Sequence, residues 1–340
     1  MDNKTSFTTE YSIYNVSVID YTDYFNTTTK SVRRWVHVFL EWGLLVGVVM
    51  ALFGNTIVII VMTSKKNRNS AAAMFFTALS VSDLFIIIFG SFDTMLKHFT
   101  DYGRFGNRYF IIFKNVTWLT SVYTSSWLIV FIALERTISV TFPYKYSTIC
   151  TMRKKISAVI IIVTVFLTMN MSFHLVFWTI HTEDGDEDWR DNIPNISRMV
   201  EWLDAVLVFF VPAFLLITGS SCIIRGLTKS ASKLRANGSN NSNGKKTRNN
   251  SIIWILLASV IVFLLTMSPF YVLFVLDDQG LVSESEIIDI LWDIFIFLKD
   301  MNAALNCYVY FLTGSKFRND VKCLFCKLCK SQTNVQSNRS

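Results

Sequence analysis

Seven stretches of the chain are almost unbroken Val, Ile, Leu and Phe, near residues 39–63, 72–96, 110–140, 155–179, 199–224, 250–275 and 287–312. The short connectors between them hold Lys, Asn, Ser and Asp. Each stretch meets the roughly 20 apolar residues that a helix needs to cross a bilayer core. Peptide groups there have no water to bond, so a run of that length must be helical. The pattern predicts an all-α membrane protein, a bundle of seven transmembrane helices. Polar residues nevertheless sit deep in several runs: Asn55, Asp83, Glu135 with Arg136, and Asn306. An ionised group at the bilayer centre costs roughly 2.5–3.5 kcal/mol even on the lenient insertion scale, so such residues are expected to face a protein interior and act there.

Composition agrees: 52% of residues are hydrophobic, 17% are charged, and the mean hydropathy is +0.40. Charge sets the orientation. Segments 64–71, 141–155, 225–249 and 313–340 hold 20 Lys and Arg and one acid, Asp320. The opposite segments, 1–38, 97–109, 180–198 and 276–286, hold 9 Lys and Arg against 15 acids. The basic side is cytosolic by the positive-inside rule, which places the N-terminus outside and the C-terminus inside. The net charge of +7 is then a topology signal, and no nucleic-acid partner is expected. Asn-X-Ser/Thr acceptors at Asn3, Asn15, Asn26 and Asn195 fall on the outer side, as glycosylation requires, whereas matches at Asn115, Asn170 and Asn237 lie in helices or the cytosol. Residues 1–34 show no apolar core of a cleavable signal, so the first span is the expected targeting element. All six cysteines lie in the inner half, and no outer disulfide is expected. The domain plan is an extracellular glycosylated tail, 1–38, the bundle, 39–312, and a cytosolic amphipathic helix and tail, 313–340.

The third span ends Glu135-Arg136-Thr137, with Phe142-Pro143 following. Alone, the pair reads equally as two side chains snorkelling to the interface. The seventh span runs Asn302-Ala-Ala-Leu-Asn306-Cys-Tyr-Val-Tyr310, which puts Asn302, Asn306 and Tyr310 on one face. Gly314 then ends the helix, and Lys316-Phe317-Arg318 opens a short basic amphipathic segment suited to the inner leaflet. With Gly54-Asn55 and Leu79-Ser-Val-Ser-Asp83-Leu84, the chain resembles the rhodopsin-like (class A) G-protein-coupled receptors over all seven spans, roughly 39–325. The phrase from Asn306 to Arg318 resembles, more narrowly, invertebrate neuropeptide receptors of the FMRFamide-receptor-like kind.

The resemblance implies roles. Arg136 would contact a heterotrimeric G protein once released from Glu135. Asp83, Ser125, Asn302 and Asn306 would line a mid-membrane pocket for an allosteric sodium ion, with no other cofactor. Carboxylate, hydroxyl and amide oxygens suit a hard cation on chemical grounds as well. Tyr310 would swing into the core on activation, with Phe263 packing there. Pro269 and Pro212 match the family's kink prolines; a proline breaks an internal hydrogen bond and makes a hinge. Departures stand beside these matches. Met267 replaces the usual Trp before Pro269, Cys307 replaces the proline after Asn306, and Ile111 replaces the cysteine that would clamp the second outer loop.

The position where amine receptors of the family carry Asp is Trp118, and opsins' retinal lysine is replaced by Asp300, with Lys299 its neighbour. Acids crowd the outer side: Glu183, Asp184, Asp186, Glu187, Asp188, Asp277, Asp278, Glu284 and Glu286. Below them lie Asp93, Glu201, Asp204, Asp289, Asp293 and Asp300. Such a field gathers cations, and Trp118, Phe270, Tyr271 and Phe274 add aromatic faces that favour them. The expected ligand is an extracellular basic peptide. The competing reading is that these acids only solvate the outer face, with Lys114 and Lys299 neutralising some of them.

The third inner loop, from Ser230 to Asn250, reads as a flexible basic linker for membrane lipids and the transducer surface. Cys323, Cys326 and Cys329 make a poor zinc site and fit palmitoylation. The expectation is a plasma-membrane receptor that binds an extracellular neuropeptide, and not an enzyme. A chemosensory receptor for small amines or peptides is the alternative within the fold. A channel or transporter would call for acids or broken helices lining a path, or a repeat relating two halves; no internal repeat is visible, and seven spans do not halve.

Overall fold

The computed structural model describes residues 7–68, 71–91, 108–181, 194–236, 243–283, 285–315, 317–324 and 326. Among them, six helices are long and apolar enough to cross a membrane: Lys30–Thr63, Ala73–Ser91, Tyr109–Thr141, Met152–Leu175, Arg198–Gly226 and Ile253–Asp278. A further helix, Glu286–Thr313, completes the bundle. It carries Glu286, Asp289, Asp293, Lys299 and Asp300, which is why composition alone does not mark it as a span. The first span lies within a helix running from Phe7 to Thr63, so helix begins well before residue 39.

The third span is the hub, two-thirds buried, whereas the fourth is only 17% buried and faces lipid. Neighbours close a ring: one packs on two and seven, two on three and four, three on four and five, five on six, and six on seven. The core is apolar, with Phe263, Leu128, Leu216 and Val208 fully enclosed. The outside is equally apolar: Ile160, Ile161, Phe214 and Leu265 are exposed where acyl chains would cover them. Lipid is as greasy as leucine, so the helices gain from close packing and shared hydrogen bonds rather than from escape from water. Gly54 shows this need. A Cβ there would strike Cys307 Sγ on the seventh span.

Two spans contain π-helical turns. In the fifth, Ala205–Phe210 precedes Pro212, whose ring nitrogen has no hydrogen to offer the fifth span's ladder, and Val211 N–H bonds Val206 O instead. The Leu207 carbonyl in this turn accepts from Trp127 Nε1 of the third span at 3.0 Å. In the second, the π turn Ile87–Ser91 contains Gly90, against which the Trp118 indole packs so closely that any Cβ would collide with it. Past Gly314, residues 317–324 form a short helix, with Phe317 and Val321 buried and Cys323 exposed. Arg318 turns back and donates to the Phe311 and Leu312 carbonyls, at 3.1 and 2.6 Å, which satisfies the end of the seventh span. Asp320 accepts from Lys66 Nζ at 2.7 Å and Asn67 Nδ2 at 2.9 Å, tying the short helix to the loop between the first and second spans.

Candidate functional site

Polar side chains inside this greasy bundle gather at three depths. At mid-membrane, Asp83 is wholly buried; one oxygen accepts from Ser125 Oγ at 2.7 Å and the other from Asn306 Nδ2 at 3.0 Å. Spans two, three and seven thus meet on one carboxylate. Asn306 Oδ1, Ser80 Oγ and Asn55 Oδ1 are buried without protein partners. Orphaned oxygens near a buried carboxylate suit a hard cation or ordered water. Asn302 is engaged elsewhere: its Oδ1 accepts from Thr266 Oγ1 of the sixth span at 3.1 Å. Asn55 Nδ2 donates to the Ala303 carbonyl at 3.3 Å, holding the first span to the seventh.

At the inner mouth, Glu135 and Arg136 do form a pair, with Nη2 to Oε2 at 3.1 Å. The pair has company that the sequence pattern did not single out. Lys155, one turn into the fourth span, reaches Glu135 Oε1 at 2.5 Å, and the Tyr146 hydroxyl donates to the same oxygen at 2.7 Å. Tyr146 lies on the loop helix Pro143–Ile149, outside the membrane; burial and the neighbouring carboxylate push its phenol well above the usual range. Phe263, Met267 and Tyr310 are buried in the sixth and seventh spans, and Tyr310 packs edge-on to Phe76 at 4.7 Å. Pro269 lies inside the helix of the sixth span.

The outer half holds the third group. The Asp204 carboxylate accepts from the Tyr271 hydroxyl at 3.3 Å, and the Tyr123 hydroxyl faces it from the third span. Phe209 stacks flat on Tyr271, with centroids 5.0 Å apart, and closes the inner side. Lys299 is near enough to act on both Asp204 and Asp300, and its ammonium sits 4.0 Å over the Phe270 ring, which meets Trp292 at 5.4 Å. Spans three, five, six and seven therefore converge on a carboxylate in an aromatic wall.

Of the residues expected to meet a ligand, Asp204, Tyr271, Phe270, Lys299 and Asp300 gather in this outer group. Phe274 stands at its rim against Trp202, whose Nε1 donates to Asp278. Trp118 is wedged on Gly90 between spans two and three, and Glu201 and Asp277 are exposed at the outer end. Asp289 and Asp293 turn toward the first helix, where Arg33 lies 2.9 Å and His37 3.2 Å away. Asp289 is thus paired with a cation of the first helix, and Asp293 has the His37 ring beside it. Asp93, Asn3, Cys329, Glu284 and the acidic run 183–188 lie outside the described residues, as do the side chains of Asn15, Asn26 and Asn195. Asn170 is buried and donates to the Phe166 carbonyl, closed to any glycan. Cys150, Cys222, Cys307, Cys323 and Cys326 are free thiols.

Comparison with known proteins gives this arrangement a context. The family model described as 7 transmembrane receptor (rhodopsin family) matches residues 54–310. Trace amine-associated receptor 6 of Homo sapiens is 25% identical over 290 residues, covering 81% of this chain and 82% of its own. Proto-oncogene Mas of Mus musculus is 22% identical over 264 residues, 76% of this chain and 74% of its own. Lysophosphatidic acid receptor 6 of Mus musculus is 22% identical over 218 residues, 60% of each.

Proposed function

The chain belongs to the rhodopsin family of seven-transmembrane receptors, and from that premise we propose that it is a plasma-membrane receptor for an extracellular cationic ligand, foremost a basic neuropeptide. Its N-terminus is outside, and it signals through a heterotrimeric G protein. The observation that carries the ligand class is the Asp204 carboxylate, held among Tyr123, Tyr271 and the aromatic wall. A buried anion beside ring faces suits an ammonium or guanidinium group. The narrower likeness of the Asn306–Arg318 phrase supports a peptide, as does the acid-rich outer side of the sequence.

The ligand would favour the state whose cytosolic end is open, by binding that state more tightly. The sixth span would swing about Pro269, Tyr310 would move into the space beside Phe263, and Arg136 would leave Glu135 for the G protein. Asp83, Ser125 and Asn306 would hold a sodium ion, with Asn302 a turn away; a bound cation would offset the Asp83 charge. Glycans on Asn3, Asn15, Asn26 and Asn195, and acyl chains on Cys323, Cys326 and Cys329, complete the reading.

A second reading keeps the mechanism and replaces the peptide by a small amine. The compact Asp204 group favours it, as does the similarity to a protein named for trace amines. One experiment addresses both: G-protein activation in cells expressing the chain, challenged with short amidated Arg- or Lys-containing peptides and with simple arylalkylamines, beside an Arg136→Ala control. A peptide response lost with Arg136 at equal surface expression supports the first reading. Response to amines alone replaces it with the second, and silence in a well-expressed chain refutes both.

A further inference from the structure

We propose that Lys155 is the standing counter-ion of Glu135, a positioning residue that keeps this carboxylate paired when Arg136 departs and so makes the departure easy. The inference rests on the reading of Arg136 as the G-protein contact, and it assigns a role to a lysine that no motif marks.

The geometry divides the Glu135 carboxylate in two. Oε2 receives a single bond from Arg136 at 3.1 Å, and Arg136 Nε is buried with no partner among the described residues. Oε1 receives both Lys155 Nζ and the Tyr146 hydroxyl. The Lys155 side chain is 5% exposed and that of Glu135 3%, so neither is a surface charge that water screens. Aromatic rings confine the ammonium: the Tyr146 centroid is 5.5 Å away and that of Phe75, on the second span, 6.0 Å. Lys155 is thus fixed by three neighbouring elements, whereas Arg136 makes one hydrogen bond among the described residues.

Charge makes the division consequential. Closed, the cluster holds one carboxylate and two cations, and Arg136 and Lys155 repel each other across it. Once Arg136 leaves, what stays behind is a neutral, hydrogen-bonded pair. A lone Glu135–Arg136 pair would behave in the opposite way, because separation would strand a buried anion, which is strongly unfavourable. Lys155 therefore weakens the latch it joins. Its removal should lock the receptor shut, although deleting a member of an ionic latch is ordinarily expected to open it.

The test is agonist-free nucleotide exchange on reconstituted G protein, at a G-protein concentration where the unmodified receptor gives a clear signal. Lys155→Met should lower exchange about tenfold or more, equivalent to about 1.4 kcal/mol per tenfold. Lys155→Arg should retain it. Glu135→Gln should raise it, and adding Lys155→Met to Glu135→Gln should leave it at that raised level, since no anion is left to strand. A purely structural lysine would lower exchange equally in both backgrounds. If Lys155→Met alone does not reach the membrane, Lys155→Gln and the Glu135→Gln/Lys155→Met pair carry the comparison. Exchange that is lost in Arg136→Ala yet unchanged or raised in Lys155→Met overturns this inference alone. Exchange indifferent to Arg136→Ala overturns the coupling reading and this inference with it.

Discussion

Asp204→Asn is the change that bears most directly on the ligand. Asparagine keeps the shape, and its amide oxygen still accepts from the Tyr271 hydroxyl 3.3 Å away, so the bundle loses a charge and keeps this contact. Two unit charges 4 Å apart interact by about 4 kcal/mol at an effective dielectric near 20. Part of that is offset in advance, because Lys299 already acts on Asp204 from the seventh span. The ligand's cation must also shed water. A net loss of about 2–4 kcal/mol is in line with truncated charge pairs at interfaces, and it corresponds to about 30- to 1,000-fold in affinity.

The same geometry gives a second variant of opposite sign. Lys299→Met removes the competing ammonium and frees the Phe270 face it covers at 4.0 Å, so a cationic ligand should bind about three- to tenfold more tightly. Concentration–response curves for G-protein activation, and competition binding on membranes with matched surface expression, read both shifts. The reasoning fails if Asp204→Asn leaves the midpoint in place while Arg136→Ala still abolishes the response. It fails equally if Lys299→Met weakens binding, which would mark Lys299 as the contact for an anionic group of the ligand.

Other expectations follow from packing and charge. Gly54→Leu forces a side chain into Cys307 and should destabilise the bundle by about 1–3 kcal/mol, read as a lower unfolding temperature in detergent and partly relieved by Cys307→Ala. Asp83→Asn should abolish any weakening of agonist affinity by sodium chloride relative to choline chloride; sodium sensitivity that survives would move the cation site elsewhere. Asp320→Ala removes the acceptor of Lys66 and of buried Asn67 and should loosen the short cytosolic helix, read as faster amide exchange over 317–324. Lys66 is held above its ordinary 10.5 by Asp320, so the pair's contribution is complete below that value and lost only as pH rises past it; exchange protection from this contact should be flat between pH 6 and 9.

What the sequence showed and what it hid divide along a physical line. Periodic greasiness is a one-dimensional property, so the spans could be placed, although the first begins at Lys30 rather than 39, and even the seventh was recognisable through its Asn302–Tyr310 face despite its charges. Partnerships between charges are three-dimensional, and there the pattern was silent. Lys155 counted as one more cytosolic cation, yet it is buried against Glu135. Asp289 and Asp293 read as acids below a ligand-gathering rim, and Arg33 and His37 of the first helix face them. Trp118 sat at the family's ligand position, yet the neighbouring Gly90, whose missing Cβ leaves a slot, takes its indole. Asn302 matched a sodium motif, yet Thr266 holds its oxygen. In each case the residue type was legible and the partner was not, because the partner lies on another helix whose rotation hydropathy fixes only coarsely. A buried charge is stable only with its partner, so the chemistry of such a bundle resides in these cross-helix pairs, and one cation more or less beside Glu135 decides whether its latch resists opening or yields.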